Sequence, residues 1–248
     1  MRLTRTDSEP VFYTSPAHAC SYLADRKAAT VFLDPDYPRD RRLYTLLSEN
    51  GFRRSGPHIY RPGCPDCDAC TPVRVRVADF RPRRSQRRAW QKNHDLRVKD
   101  CGSSFSVEHF ALYQRYLVSR HRGGGMDRST PRQFIDFLTS SWCETHFWEF
   151  RLSQKLLAVA VLDHLEDGLS AVYTFFDPDY AQRSLGVFAV LWSIQETRKQ
   201  GFDWLYLGYW IPSSAKMRYK CEYQPQEHFR HGRWMAAALR AECAGLLA

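Results

Sequence analysis

No stretch of this chain is both long and apolar enough to cross a bilayer. The longest apolar run, Leu156-Leu-Ala-Val-Ala-Val-Leu162, falls far short of the roughly 20 residues a spanning helix needs and reads as a buried strand. The first 20 residues lack a charged start followed by an apolar stretch, so nothing directs the eight cysteines to an oxidising compartment. A cytoplasmic protein with reduced thiols is expected. No lipidation signal, amphipathic basic tail, internal repeat or low-complexity tract appears. His121, His146, His164 and His228 show no ligand spacing, and no role is assigned to them. Acidic residues are in deficit: 27 against 36 Lys plus Arg, for a net charge of +9. That surplus favours a polyanionic partner. An anionic membrane surface is the competing explanation, and no other feature of the sequence supports it.

What is present is concentrated near the middle of the first half. Cys64-Pro-Asp-Cys67-Asp-Ala-Cys70 runs into the ribbon Val73-Arg-Val-Arg-Val77 and then into Arg83-Arg-Ser-Gln-Arg-Arg88. Thiolates two residues apart can converge on one ion, and clustered guanidinium groups match phosphate geometry. Cys64, Cys67 and Cys70, with Cys20 as fourth thiolate, suit zinc or an iron-sulfur cluster; the alternative is a group of buried free cysteines stabilising turns. Cys101, Cys143, Cys221 and Cys243 are scattered and read as small apolar fillers. Arg81, Arg83, Arg84, Arg87, Arg88 and Lys92 form a strip able to grip RNA phosphates, with Trp90 near enough to stack on a base; a solvated basic face is the bland alternative.

At 248 residues and 44% hydrophobic composition the chain can bury a full core, and two domains are expected, 1–105 and 106–248. In the first, Ala28–Leu33 reads as a strand, Pro38 opens a helix that Asn50-Gly51 closes, and Val73, Val75 and Val77 face a core opposite Arg74 and Arg76. Residues 82–93 read as a helix or turn, and Asp100, Gly102, Ser103 and Ser104 mark the boundary. The second half opens with a helix over Val107–His121, ended by Gly123-Gly-Gly125 and a mobile loop. Thr130-Pro131 caps a short helix, and strands at 146–152, 156–163 and 169–176 form a meander. A helix over 186–200, a strand over 204–207 and a polar, aromatic segment through Tyr223 follow.

The order of two helices, antiparallel meander, helix and strand matches an acetyltransferase-like (GNAT-type) N-acyltransferase domain, so the expected class is α+β, with a cysteine-containing N-terminal module in front. Arg183-Ser-Leu-Gly186-Val-Phe188 occupies the place of the turn that holds a pyrophosphate in coenzyme-A-dependent members. Phe188, where Gly or Ala is expected, argues against coenzyme A as acyl donor. An ordinary acetyltransferase and a non-enzymatic, metal-dependent RNA-binding module are the rivals.

Cys20-Ser-Tyr-Leu23, Arg61-Pro-Gly-Cys64 through Arg76, Arg81 to Arg88, Tyr116 to His121, Tyr173-Thr-Phe-Phe-Asp-Pro178 and Gly208 through Tyr223 together resemble the arginyl-tRNA-protein transferase family over nearly the whole chain. Eukaryotic relatives carry Cys-x-x-Cys near the start, where this chain has Cys20-Ser-Tyr-Leu23. The resemblance implies an aminoacyltransferase of the N-degron pathway with a charged tRNA as donor and a protein N-terminus as acceptor. Within the family, similarity to the bacterial subgroup implies leucine as the residue moved and N-terminal Asp or Glu as its target. No cofactor is then required for transfer. An acidic side chain entering a cleft needs a cation, for which Arg76, Lys216, Arg218 and Lys220 are candidates, with Tyr209 and Tyr219 among the aromatic groups around the substrate. Tyr173 and Asp177 are candidates to orient the amine or relay its proton; both residue types at such positions are more often structural.

Overall fold

A computed structural model describes residues 9–120 and 129–237. The first half supplies β1 (Phe12–Thr14), β2 (His18–Ala19), β3 (Lys27–Ala28), β4 (Thr30–Leu33), α1 (Arg41–Glu49), β5 (Arg53–Ser55), β6 (His58–Pro62), β7 (Thr71–Arg76), α2 (Arg84–Lys92) and β8 (Arg97–Asp100). The second supplies α3 (Val107–Arg120), α4 (Pro131–Leu138), β9 (Thr145–Leu152), β10 (Lys155–His164), β11 (Gly168–Phe176), α5 (Leu185–Lys199), β12 (Trp204–Trp210), β13 (Gln226–Arg230) and β14 (Arg233–Ala236). The class is mixed α+β, as the sequence indicates.

An eight-stranded sheet in the order β14-β13-β7-β12-β11-β10-β9-β8 forms the centre of the molecule, beside a four-stranded sheet β1-β4-β6-β5. Strand β10 shows how its faces are assigned. Val159 and Val161 join Leu112, Phe134 and Phe147 on the α3 and α4 side. Ala158 and Ala160 join Phe188 and Ala189 of α5 on the other side. Period-two alternation therefore lets one strand serve two cores. The pair β11/β12 is parallel, with α5 as the crossover that such pairing requires.

The expected division at 105 does not divide the sheet, because β7 and β8 both belong to it with β9 to β14. Strand β7 lies between β12 and β13, with Val73, Val75 and Val77 inside the core. The expected boundary segment also begins as a strand: Lys99 and Asp100 pair with Glu149 and Trp148. Periodicity is lost only beyond Asp100. Helix α1 starts later than Pro38 suggests, because the Asp40 carboxylate accepts from Leu43 N at 2.8 Å and caps it. Thr130 caps α4 with Pro131 next, as expected. His121, Gly123–Gly125 and Cys243 lie outside the described residues.

The small sheet is fastened to the large one by a buried ion pair. Arg54 Nε donates to Asp163 Oδ2 (2.7 Å) and its Nη2 donates to Oδ1 (2.6 Å). Asp163 also accepts from Thr145 (2.7 Å) and Tyr44 (3.1 Å). Both charged side chains have zero accessible surface.

Candidate functional site

The parallel pair that organises the large sheet comes apart halfway. Only Gly168, Leu169 and Ser170 of β11 pair with Trp204, Leu205 and Tyr206 of β12, although both strands run on. Where the next ladder bond would form, Ala171 O accepts instead from Arg53 Nη2 at 2.7 Å. The guanidinium lies against Gly208, which sits beside a bulge in the β12/β7 pairing. A Cβ on Gly208 would stand 2.0 Å from Arg53 Nη1, and its φ of +77° is one that glycine adopts without strain. The ring of Tyr209 is 5.9 Å from the same guanidinium.

Aromatic groups surround this wedge. Tyr22 and Tyr219 keep 39% and 44% of their surface accessible, yet burial raises the pKa of both phenols, that of Tyr219 to about 12. Arg53 keeps part of its own surface accessible, so the gap it fills between β11 and β12 forms a recess open to solvent. Both also feel the Arg53 charge, and Tyr116 adds to the shift of Tyr219. Lys220 is buried close by, its Nζ donating to Tyr209 O at 2.7 Å. Burial first, then the Arg53 charge, drives its pKa well below the ordinary lysine value, while Cys70 opposes.

Tyr209 is buried and structural: its hydroxyl donates to Gly51 O (3.0 Å), with Tyr60 O 3.2 Å away. It also lines a cavity of about 630 Å³ whose walls include Arg61, Cys64, Cys67, Cys70 and His231. Burial, followed by the neighbouring Cys64, Cys20 and Cys67, pushes the Cys70 thiol up to about 12. The fold thus gathers the four expected cysteines. They are not a closed zinc cage, however. A tetrahedral zinc holds its sulfurs roughly 3.8 Å apart, and among the described residues the groups of three donors within 4.8 Å are Cys101/His109/Glu149 and Glu144/His146/His164. Neither triad was legible from spacing, because each is assembled across separate strands or helices.

The other expected site residues divide by position. Lys216 and Arg218 are exposed beside Tyr219. Arg76 is not part of this region: it lies at the opposite end of β7 from Pro72, roughly 13 Å along the strand, against Trp204 (5.9 Å) and Asp79 (3.8 Å). Asp177 is fully buried and accepts from Arg115 and from Asp179 N, with Lys155 Nζ 3.4 Å away. Those partners cap a turn. Tyr173 packs against Phe137 (5.4 Å) and Tyr113 (5.9 Å), and burial raises its phenol far out of the physiological range. Its ring centroid is 6.3 Å from that of Tyr116.

The arginine strip adjoins the recess. Arg83 pairs with Glu222 at 2.6 Å and Gln86 Nε2 donates to Glu222 O at 3.1 Å, so α2 is fastened to the turn Arg218–Glu222 that carries Tyr219 and Lys220. Arg81, Arg87 and Lys92 donate to the backbone carbonyls of Ala78, Pro82 and Gln182. Arg84 and Arg88 are exposed. Trp90 is half-buried and packs on Phe188 at 5.2 Å, which removes it as a base-stacking platform. Phe188 is itself a core residue. The turn ahead of α5 is instead held by α2, through Asn93 Nδ2 to Arg183 O (2.8 Å) and Arg183 to Lys92 O (2.9 Å).

Arg53 was missed because Arg53-Arg54 reads as ordinary surface charge, and β5 is only three residues long. The one available signal was Gly208 inside an otherwise bulky aromatic strand.

Two family profiles match the chain: "Arginine-tRNA-protein transferase, N terminus" over residues 18–88 and "Arginine-tRNA-protein transferase, C terminus" over residues 108–230. A protein of Alcanivorax borkumensis named aspartate/glutamate leucyltransferase is 52% identical over 90% of this chain and 92% of its own. One of the same name from Pseudomonas fluorescens is 49% identical over 90% of this chain and 95% of its own. Among solved structures, L-PGS from Bacillus licheniformis overlays with a TM-score of 0.46 at 12% identity, covering 57% of this chain and 45% of that one.

Proposed function

Because the chain belongs to the arginine-tRNA-protein transferase family, we propose that it transfers leucine from Leu-tRNA to the α-amine of proteins or peptides beginning with Asp or Glu, creating a degradation signal of the N-degron pathway in the cytoplasm. The observation that carries this is the 52% identity, over nine tenths of both chains, to a protein whose name specifies leucine and those two acceptors. No described helix is long and apolar enough to cross a membrane.

The α+β fold is read as a GNAT-type acyltransferase. The element order from α3 to β12 and the separation of the parallel pair β11/β12 support it. The coenzyme-A-dependent alternative is not favoured: α2 is fastened over the turn that precedes α5. The donor is an aminoacyl ester. The amine nitrogen attacks the leucyl carbonyl carbon, the C–N bond forms, the C–O bond to the ribose breaks, and the amine's proton ends on the ribose oxygen. An α-amine with a pKa of about 7.7–8.0 is partly neutral at physiological pH, so orientation matters more than base catalysis. Lys216 and Arg218 are suited to hold phosphates of the RNA 3′ end, and Arg84, Arg87 and Arg88 those of the acceptor arm. Tyr219 is suited to line the substrate, and Tyr209 and Lys220 to support it from behind. Tyr173 and Asp177 are suited to position neighbours, Asp177 by holding Arg115 and Tyr173 by packing on Phe137.

Cys20, Cys64, Cys67 and Cys70 are suited to hold zinc or an iron-sulfur cluster as a structural element, with no part in the transfer. The nearness of Cys64, Cys20 and Cys67 to Cys70 supports this, the four sulfurs having to draw together around the ion. Anaerobically purified protein is expected to carry stoichiometric zinc or iron that is lost in Cys64→Ser; absence of both metals from the wild type would reject the site. The function is tested by incubating labelled Leu-tRNA with peptides starting with Asp, Glu, Arg or Ala. Label on the first two alone is expected, and no product on any peptide would reject leucyl transfer.

A further inference from the structure

Two consecutive arginines in β5 have opposite electrostatic situations. Arg54 is fully enclosed and satisfied by the Asp163 carboxylate. Arg53 has no carboxylate within ion-pair distance among the described residues; its one hydrogen bond goes to a carbonyl, Ala171 O. A guanidinium offers five N–H donors and cannot lose its charge at neutral pH. Holding it among Tyr22, Tyr209 and Tyr219 without a counter-ion is costly, because desolvation is not repaid by a partner charge. The fold nevertheless makes room for it by opening the β11/β12 ladder and by keeping a side chain off Gly208.

Building on the leucyl-transfer reading, we infer that Arg53 is the receptor for the side-chain carboxylate of the acceptor's N-terminal Asp or Glu, and so sets the selectivity for acidic N-termini. A carboxylate accepts two parallel N–H bonds from such a fork, whereas an amide presents an NH₂ to the same donors and leaves the charge unpaired. The accessible tyrosines add hydroxyls that stay protonated at neutral pH and can donate to the same anion. The cations considered from sequence are less suited. Arg76 is remote, Lys216 and Arg218 are exposed on the rim, and Lys220 is buried against a carbonyl.

The test compares wild type with Arg53→Gln, using Leu-tRNA and peptides that differ only in Asp or Asn at the first position. Wild type is expected to favour Asp strongly. Arg53→Gln is expected to raise KM for the Asp peptide at least tenfold and to reduce the Asp-over-Asn ratio of kcat/KM by roughly 100-fold or more, with Leu-tRNA affinity unchanged. Arg53→Lys keeps a charge and is expected to recover only part of the ratio; it also serves if the glutamine variant does not fold. In wild-type protein alone, an Asp-Ala dipeptide is expected to inhibit transfer where Asn-Ala does not. A retained Asp preference in a folded Arg53 variant overturns the inference, as does weakened Leu-tRNA binding with selectivity intact, which would make the recess a phosphate site. Either result leaves leucyl transfer standing. Wild type that modifies no peptide rejects both.

Discussion

Arg54→Met is expected to lower the unfolding free energy by about 3–5 kcal/mol, read as a shift of the urea midpoint at pH 7. Methionine conserves most of the volume, so the loss comes from polar groups. Asp163 would keep only the hydroxyls of Thr145 and Tyr44, at 2.7 and 3.1 Å, sealed from water without its counter-ion. The carbonyls of Leu138 and Gly56, which accept from Arg54 at 2.9 and 3.1 Å, would also lose their donor. Removing one partner of a buried pair costs far more than removing both, so Arg54→Met with Asp163→Leu is expected to regain part of the loss. Because the pair joins β5 of the small sheet to β10 of the large one, the two sheets should separate in the same transition that breaks it. A midpoint within error of wild type would show that hydrophobic packing around Tyr44 and Leu165 holds the sheets together without it.

The same pair marks the limit of what the sequence reveals. Alternation identifies β7, whose burial follows period two, and the apolar run 156–162 identifies β10, which is buried on both faces. Thr130-Pro131 and Asn50-Gly51 are legible because capping is local chemistry. Pairing between distant segments leaves no such mark. Nothing in Val73–Val77 says that β7 enters between β12 and β13, nor that Arg54 meets a carboxylate 109 residues away. The short strands β5, β8, β13 and β14 escape for the opposite reason: three to five residues carry too few periods to separate them from loops. The candidate site follows the same division. Cysteine spacing and arginine density are local and therefore legible. Arg53, the Glu144/His146/His164 group and the distance of Arg76 from the recess are consequences of tertiary pairing.

Arg84→Glu with Arg88→Glu is expected to weaken Leu-tRNA binding by roughly tenfold or more at low salt, and to reduce the slope of log affinity against log salt by about 1.4–1.8. The strip's other members are already engaged. Arg83 is paired with Glu222, and Arg81, Arg87 and Lys92 each donate to a backbone carbonyl. Arg84 and Arg88 stand one helical turn apart on the exposed side of α2, free to take two successive phosphates. Their exposure also separates binding from folding, since α2 is anchored through Gln86, Ala89, Trp90 and Asn93 and not through these side chains. The variant should therefore unfold at the wild-type midpoint. Its kcat at saturating Leu-tRNA should also be preserved, because Glu222 keeps α2 against the turn that carries Tyr219. A loss of kcat without a change in salt slope would mean that the strip shapes the recess and does not grip RNA. Unchanged affinity and slope would leave it a solvated basic face.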